Sequence, residues 1–484
     1  MGNTKVSFIL PPARWSDYRY SLGVMYISSF LTQYGYDNAI IDSACLRGDG
    51  YSFERAIKII LEEVESQHPD IIGFTCCLNE VNQCVSLNKE IKKSWPEITT
   101  CIGGPQPTFT SRLFLEEGFD FVIKGEGEET MLDLIQCLEG ARNYDTVHGI
   151  SWKRDKQIVH NAQRPLIKDI NILPYPAFEK VNMSKHTQLH NWVIRGLPLR
   201  AVLIVSSRGC PYSCIYCGCN SIMGKKLRCR NYANLYSEIQ LLRDNYGVEA
   251  IWFADDILTI SREHIRTICR VTKDLSVYWG CQARVDSIDE EVVREMKSSG
   301  CLQLDFGVES GSDRILKEII NKKTTVAQAK KAFQICSKLG MRTLANLMIG
   351  LPTETREEMN ETIKLAREIK ADIYVLSIAT PLPGTPLWDM VNADDIIPVS
   401  AYDKISYFSG SLIERYNKSK VVGLEKVRME FLRHLNRYTR RKKIRFFLSR
   451  LRLFWRLKNK RDRLLFELKN NHYVFNLLKL LKLY

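Results

Sequence analysis

Three cysteines within eight residues constrain this 484-residue chain more than any other feature. Cys210, Cys214 and Cys217 follow an apolar, strand-like run, AVLIV, so their thiols are brought to one point in space. A structural zinc site normally closes the metal with four protein ligands, whereas three cysteines can hold an iron–sulfur cluster that keeps one iron open. The spacing therefore favours an iron–sulfur cluster. A zinc knuckle formed by Cys214, Cys217, Cys219 and Cys229 is the alternative.

The composition is that of a globular protein, with 45% hydrophobic and 26% charged residues. The length predicts two or three domains. Fifteen cysteines are scattered along the chain, and the N-terminus, MGNTKVSFILPP, lacks the pattern of a secretory signal. We therefore expect a reduced, cytoplasmic protein without disulfides. No stretch approaches the roughly eighteen apolar residues of a membrane-spanning helix.

The net charge of +14 is concentrated in residues 437–484, which hold sixteen Lys and Arg against Asp462 and Glu467. Aromatic and aliphatic residues recur among these bases, a pattern typical of amphipathic helices that bind anionic membranes. A nucleic acid would meet the same charge, and a helix docked on the protein by its apolar face is a further alternative. The terminal VFNLLKLLKLY favours a membrane or a protein partner, so peripheral association with the inner face of the membrane is the hypothesis.

Two regions of the chain alternate between strand and helix patterns. Residues 1–140 contain five apolar runs separated by amphipathic stretches, which predicts a Rossmann-like, doubly wound parallel sheet with its ligand site at the carboxyl ends of the strands. Residues 200–395 contain six further strand–helix units, which predicts a partial (βα)6 barrel of the TIM type. Residues 141–199 form a connector that includes a hairpin, and residues 396–484 form a basic, helical C-terminal region. The fold class is therefore α/β.

The barrel region resembles the radical S-adenosylmethionine (SAM) enzymes. Its C-x3-C-x2-C loop is followed, in the family's order, by ADDILTI, CQARVD, GCLQLDFGVESGSDRIL, NLMIGLPTET and TPLPGTPLW. In that family the open iron of a [4Fe–4S] cluster binds the amino and carboxylate groups of SAM. An electron, supplied by an external donor of the flavodoxin or ferredoxin type, cleaves SAM to a 5′-deoxyadenosyl radical.

The resemblance also implies a SAM site at the strand ends. Asp255 and Asp256 would receive the ammonium group, because carboxylates form charge-assisted hydrogen bonds; helix capping is the alternative for either residue. Arg284 would meet the methionine carboxylate and Glu309 the ribose, or the two would form an internal ion pair. The remaining implied contacts are Tyr216 and Gly350 beside the adenine and Ser310 beside the ribose.

The N-terminal region resembles the cobalamin-binding domain of one branch of this family. GGPQPT follows the fourth predicted strand and KGEGEET follows the fifth. The chain lacks D-x-H-x-x-G, and Gln106 stands where a histidine is common, so the resemblance implies cobalamin bound without a histidine ligand. The implied lining residues are Tyr20, Leu22, Gly103, Gly104, Gln106 and Gly125. A vestigial domain that binds nothing is the alternative.

The resemblance makes methyl transfer to an unactivated carbon the leading reaction, with a small molecule or a lipid as the substrate. Related members perform cyclisation or oxidation instead. Methylthiotransferases recruit three N-terminal cysteines to a second cluster, and here the candidates are Cys45, Cys76 or Cys77, and Cys101 or Cys137. A non-catalytic binding module is the remaining alternative, against which the intact cysteine loop argues. No residue is assigned a catalytic role by the sequence alone.

Overall fold

The computed structural model describes residues 4–12, 20–44, 46, 49–189, 193–391, 397–403, 405–408, 423–433 and 435. The predictions for the basic tail, residues 437–484, and for Cys45 lie outside the described residues. Within the described residues the chain is α/β, as the sequence predicts, with two large, mostly parallel sheets and a two-stranded antiparallel ribbon.

The N-terminal sheet begins with five parallel strands in the order 2-1-3-4-5. They are β1 (Val6–Leu10), β2 (Asn38–Asp42), β3 (Ile71–Thr75), β4 (Thr99–Gly103) and β5 (Phe121–Ile123). The helices between and after them are α1 (Leu22–Gln33), α2 (Phe53–Gln67), α3 (Val81–Ser94), α4 (Pro105–Phe109), α5 (Ser111–Glu116) and α6 (Glu128–Leu138). Strands buried on both faces read as continuous apolar runs, and β1 is buried at every residue. This confirms the predicted doubly wound sheet, whose strand order reverses next to β1.

The hairpin predicted for the connector extends this sheet. Strands β6 (Ile150–Arg154) and β7 (Gln157–His160) pair antiparallel with each other, and β6 pairs antiparallel with β5. The hairpin thus covers the edge of β5, which would otherwise present unpaired backbone groups. A short helix, α7 (Met183–His186), follows in the remainder of the connector.

The second sheet contains six parallel strands in the order 15-14-13-12-11-8 and forms the predicted partial barrel. A two-stranded ribbon lies beside its first strand. The strands of the sheet are β8 (Ala201–Ile204), β11 (Ala250–Phe253), β12 (Tyr278–Ala283), β13 (Cys301–Glu309), β14 (Arg342–Ile349) and β15 (Ile373–Ile378). The two strands of the ribbon are β9 (Ser207–Arg208) and β10 (Arg228–Cys229). The helices are α8 (Cys219–Met223), α9 (Tyr232–Tyr246), α10 (Arg262–Asp274), α11 (Glu290–Ser298), α12 (Val326–Leu339), α13 (Arg356–Ile369), α14 (Pro386–Met390) and α15 (Val399–Tyr402).

Side-chain caps fix where the barrel helices begin. Thr325 and Thr355 each start a helix with a reciprocal capping box, in which the glutamine or glutamate three residues later bonds back to the threonine N–H. Asn231 caps α9, and Gly247 ends that helix in the left-handed conformation. Local sequence signals therefore set the helix boundaries, which in turn place the loops at the strand ends.

The two sheets pack against each other through a continuous apolar core that includes α1 and the barrel strands. The Tyr20 hydroxyl donates to the Leu203 carbonyl at 2.8 Å and accepts from the Leu203 N–H at 2.9 Å, so it pairs with the free edge of β8. A later segment also bridges the units, because Ile397, Tyr402 and Ile405 pack in the core around α3. No helix among the described ranges combines the length and apolar character needed to cross a membrane.

Candidate active site

The cysteine loop leaves the ribbon strand β9 at Gly209, a position that has no room for a side chain. Gly209 has a φ of +100°, and a Cβ there would lie 2.3 Å from the Lys226 carbonyl oxygen. The Cys210 N–H then bonds to the Gly224 carbonyl at 3.0 Å, and the Cys217 N–H bonds to the Cys214 carbonyl at 3.1 Å. These backbone contacts fix the course of the loop between β9 and α8.

The thiols of this loop suit iron ligation. Cys219 donates its S–H to Cys210 and Cys217, which lowers the pKa of each of these two thiols to about 7 against the opposing effect of burial. Burial raises the pKa of Cys214, although the nearby Lys322 acts in the opposite direction. Because the thiolate is the form that binds metal, this environment favours the state that an iron–sulfur cluster requires. The environment of Cys210 and Cys217 therefore suits metal binding. Within the described residues no three His, Cys, Asp or Glu side chains are grouped as in a metal site, so the three-cysteine cluster site stays a prediction.

The zinc-knuckle alternative requires Cys229 to join the thiols of the loop. Cys229 lies on β10, and its side chain hydrogen-bonds to His264. His264 also contacts Asp255, and although burial opposes its charged form, these partners raise the pKa of His264 to about 9. The thiol of Cys229 thus belongs to a buried network behind the loop, which disfavours the zinc knuckle.

The two adjacent aspartates at the end of β11 have different surroundings. Asp255 is buried and accepts hydrogen bonds from the Ser206 N–H at 2.6 Å, the Ser206 hydroxyl at 2.5 Å and the Ser207 hydroxyl at 2.6 Å. Asp256 is exposed and accepts from the Gly209 N–H at 3.2 Å, and partial desolvation by the surrounding protein raises the pKa of this carboxyl despite hydrogen bonds from Cys219 and Gly209. Asp255 is therefore engaged in holding the start of the loop, and Asp256 faces the site.

Tyr216 and Glu309 form the second side of the site, together with a lysine that the sequence analysis missed. The Tyr216 hydroxyl donates to Glu309 Oε1 at 2.9 Å, and Lys322 Nζ lies 2.7 Å from the same oxygen. Both side chains of the ion pair are less than 10% exposed. Glu309, Asn321 and Lys323 have φ values of +64°, +57° and +58°, an unfavourable conformation for residues with side chains. The chain thus accepts backbone strain to aim Lys322 and Glu309 at each other.

Arg284 pairs with a neighbour that was not predicted. Its Nε and Nη2 atoms donate to the two oxygens of Asp286 at 2.9 and 2.8 Å, and its guanidinium lies 3.6 Å from the centre of the Tyr212 ring. The internal Arg284–Glu309 ion pair considered from the sequence is therefore wrong, because each residue has a different partner. Arg284 nevertheless lies close enough to the cysteine loop to lower the pKa of Cys214.

The last two predicted SAM residues lie in the wall of the barrel. Ser310 is fully buried, and its hydroxyl accepts from the Ser312 N–H at 3.2 Å. Gly350 has a φ of +81°, and its N–H donates at 2.6 Å to Glu354, a buried carboxyl whose other oxygen has no hydrogen-bond partner. These residues shape the strand ends, and Glu354 is a second buried titratable group that the sequence analysis missed.

A cavity of ≈ 390 Å³ lies between the two sheets, at the carboxyl ends of β1, β3, β4 and β5 and opposite the cysteine loop. Leu22, Gly103, Gly104 and Gly125, four of the residues proposed to contact cobalamin, line it from the N-terminal side. A Cβ on Gly104, whose φ is +103°, would meet the Cys76 carbonyl at 2.9 Å, so this wall can be formed only by bare backbone. The cavity therefore fits a large, flat ligand held against glycine loops.

The other two proposed cobalamin residues make contacts between domains. Tyr20 bonds to the backbone of Leu203, as described above. Gln106 is buried and donates to the Tyr402 hydroxyl at 3.2 Å. Both side chains are thus engaged with residues far along the chain, a relation that no local motif could have indicated.

Three of the cysteines considered for a second cluster, Cys76, Cys101 and Cys137, are buried. Cys76 and Cys84 are buried and hydrogen-bond to each other, and burial raises the pKa of Cys76. Cys101 lies 3.8 Å from the Met131 sulfur, and burial raises its pKa to about 12. Burial also raises the pKa of Cys137. These thiols are held in the protonated form, which argues against the methylthiotransferase alternative.

The comparisons with known proteins agree with this architecture. Residues 204–366 match the Radical SAM superfamily, and residues 17–135 match the B12 binding domain. An uncharacterized methyltransferase of Pyrococcus horikoshii is 32% identical over 81% of this chain and 84% of its own length. The cytidylyl-2-hydroxyethylphosphonate methyltransferase of Streptomyces wedmorensis is 27% identical over 81% of each chain.

The solved structure of the radical SAM methyltransferase TsrM of Kitasatospora setae, with cobalamin and a [4Fe–4S] cluster bound, has a similar fold. Its TM-score is 0.66 at 16% identity, over 82% of this chain and 76% of that one. The cysteine loop, the partial barrel and the glycine-lined N-terminal cavity define a radical SAM enzyme with a B12-binding domain. The chain belongs to the family of cobalamin-dependent radical SAM methyltransferases.

Proposed function

We propose that this enzyme transfers a methyl group from SAM, by way of cobalamin, to an unactivated carbon of its substrate. One observation carries the proposal: a single cavity is lined by the glycine loops of the B12-binding domain and by Asp256 and Cys219 from the cluster side. A corrinoid in this cavity would face the SAM site directly. Proximity of this kind is what a group transfer between two cofactors requires.

When bound, the cluster with SAM supplies hydrogen abstraction and cobalamin supplies the methyl group; the residues of the chain bind and orient these groups. Cys210, Cys214 and Cys217 would hold the cluster. Asp256 would receive the ammonium of SAM, and Glu309, which Tyr216 and Lys322 contact through one carboxylate oxygen, would bind the ribose hydroxyls. A low-potential protein of the flavodoxin or ferredoxin type would supply electrons from outside.

The test is anaerobic reconstitution with iron, sulfide and hydroxocobalamin, followed by desalting. We expect a full complement of iron, retained corrinoid absorption bands and, under strong reduction, formation of 5′-deoxyadenosine from SAM. The Cys214→Ala variant is the control, because it removes one cluster ligand and should abolish both the iron and the 5′-deoxyadenosine. Full iron without retained corrinoid would refute the role of cobalamin and redirect the search to cobalamin-free radical chemistry.

A lipid or membrane-associated substrate is the finer part of the proposal. It rests on the sequence of residues 437–484, whose sixteen bases and interspersed aromatic residues suit an anionic membrane surface. Flotation with vesicles of anionic phospholipid tests it, comparing the full chain with a chain that ends at residue 436. Equal flotation of the two forms would exclude the tail as a membrane anchor.

A further inference from the structure

Four buried charged side chains join the glycine loop of the B12-binding domain to the cysteine loop of the barrel. Arg208 Nη1 lies 2.8 Å from Glu126 Oε1, and Arg208 Nη2 lies 2.7 Å from Glu128 Oε1. Arg228 Nη1 lies 2.9 and 3.0 Å from the two oxygens of Glu126. Each of the four side chains is at most 9% exposed. We call these residues the interdomain ion cluster.

The interdomain ion cluster lies next to the active site, so its geometry affects the site directly. Glu126 and Glu128 lie in the GEGEE segment, next to Gly125 of the cavity wall, and Arg208 lies two residues before Cys210. Glu126, Glu128 and Arg208 themselves line the cavity. A movement of one loop relative to the other therefore changes the distance between the corrinoid wall and the first cluster ligand.

The positive charges of the two arginines balance the negative charges of the two glutamates, and the hydrogen bonds between them are directional. Each guanidinium lies within 3.0 Å of a carboxylate oxygen, so every charge of the four side chains has a partner of opposite sign. Buried ion pairs often stabilise a fold no better than apolar side chains of the same volume, whereas forked guanidinium–carboxylate contacts fix one relative arrangement. Apolar contact between the domains is already extensive. The specific contribution of the ion cluster is therefore orientation.

We propose that Glu126, Glu128, Arg208 and Arg228 are positioning residues that set the distance and angle between the corrinoid and the iron–sulfur cluster. The proposal rests on the proposed function, because it assigns to the ion cluster the alignment of the two cofactors that methyl transfer requires. The four residues act through the loops that they join.

Two conservative variants test this, Arg208→Lys and Glu128→Gln. Lysine keeps the charge of Arg208 but cannot form two parallel hydrogen bonds to two carboxylates. The matched control is Arg164→Lys, since Arg164 is 13% exposed and pairs with Glu129 at 3.2 Å and with Asp133, both on α6. The Arg164→Lys substitution thus removes a similar pair of guanidinium–carboxylate contacts on the same helix, α6, without contacting the cysteine loop.

The first readout is the magnetic interaction between cob(II)alamin and the reduced cluster in the holoenzyme, measured as the dipolar splitting of the EPR signal. We expect both test variants to change this splitting and Arg164→Lys to leave it at the wild-type value. The second readout is the ratio of labelled SAM methyl in the corrinoid fraction to 5′-deoxyadenosine. Since a displacement of about 1 Å can cost about 100-fold in rate, we expect this ratio to fall by up to about 100-fold in the test variants.

A wild-type splitting in both test variants, or an equal change in Arg164→Lys, overturns the proposal. Loss of corrinoid from both variants at an unchanged melting temperature also overturns it, because the ion cluster would then build the binding site and not orient it. Hydrogen exchange of the backbone amides at residues 207–210 in the iron-loaded protein without cobalamin gives a separate readout. We expect faster exchange in Arg208→Lys than in Arg164→Lys, and equal exchange in the two variants would refute the positioning role. This comparison holds even if the wild-type protein retains no corrinoid, because the lack of corrinoid would refute only the proposed function.

Discussion

Replacing Gly209 by alanine should disturb the iron site more than its general cost to stability suggests. A Cβ at this position would lie 2.3 Å from the Lys226 carbonyl oxygen and 3.2 Å from that of Gly224, and φ is +100°. The left-handed conformation costs an alanine about 1–2 kcal/mol, and relief of the clash costs about another 1–3 kcal/mol. Because the next residue, Cys210, bonds through its N–H to Gly224, the relief must move a cluster thiol.

The matched control is Gly247→Ala, at the end of α9. Gly247 has a φ of +65°, but the nearest atom to its Cβ position is a side-chain nitrogen of Arg200 at 3.9 Å. It should therefore cost only the conformational term, about 1–2 kcal/mol. The assays are chemical denaturation of the apo-protein and iron content after anaerobic reconstitution. If Gly209→Ala retained full iron and lost no more stability than Gly247→Ala, the reasoning from the loop geometry would be refuted.

Three further predictions concern buried charges and thiols. Burial raises the pKa of Glu354 from 4.5 to about 8, so the free energy of unfolding should fall as pH rises between these values. Glu354→Gln should remove this fall. The free energy of unfolding of the variant, measured by chemical denaturation, should therefore exceed that of the wild type by an amount that grows to about 4 kcal/mol at pH 8. A difference between the two proteins that stays constant across this pH range contradicts the assignment. Lys322→Met leaves Glu309 buried without its cation, which should cost about 3–5 kcal/mol, and adding Glu309→Gln should recover most of that loss; additive effects would show that the two residues do not interact. Cys210→Ala should lose the iron, whereas Cys229→Ala should keep it; metal loss from Cys229→Ala with full metal retained in Cys210→Ala would instead favour the ligand set of the zinc-knuckle alternative.

The architecture could be predicted because each strand carries its own signal. Parallel strands buried on both faces appear as short apolar runs, and α2 and α13 appear as amphipathic stretches with a capping residue in front. The pairing of the connector hairpin with β5 was not predicted, since a hairpin pattern does not state which edge it will cover. The strand orders were not predicted from the sequence, although the order of the barrel sheet follows the tendency of successive units to lie side by side.

The site was predictable only where its residues are close in sequence. Cys210, Cys214 and Cys217 share one loop, so their spacing alone indicated their common role. The environment of Gln106 depends on Tyr402, almost 300 residues later, and a motif cannot show such a contact. Lys322 was missed for a related reason. Its role in the site depends on its ion pair with Glu309 and on the strained turn that brings the two side chains together.

A doubly wound sheet and a partial barrel both bind their ligands at the carboxyl ends of parallel strands. Joined by a flexible linker, such domains would hold two ligands without any fixed relation between them. Here the two edges face one cavity, and the contacts that keep them so are of two kinds: an extensive apolar core that resists separation, and directional polar contacts that resist sliding. The second kind includes the paired hydrogen bonds of Tyr20 with the backbone of β8 and the interdomain ion cluster. Since apolar contact tolerates small shifts and a forked ion pair does not, the polar contacts are where changes in the reaction geometry should first appear.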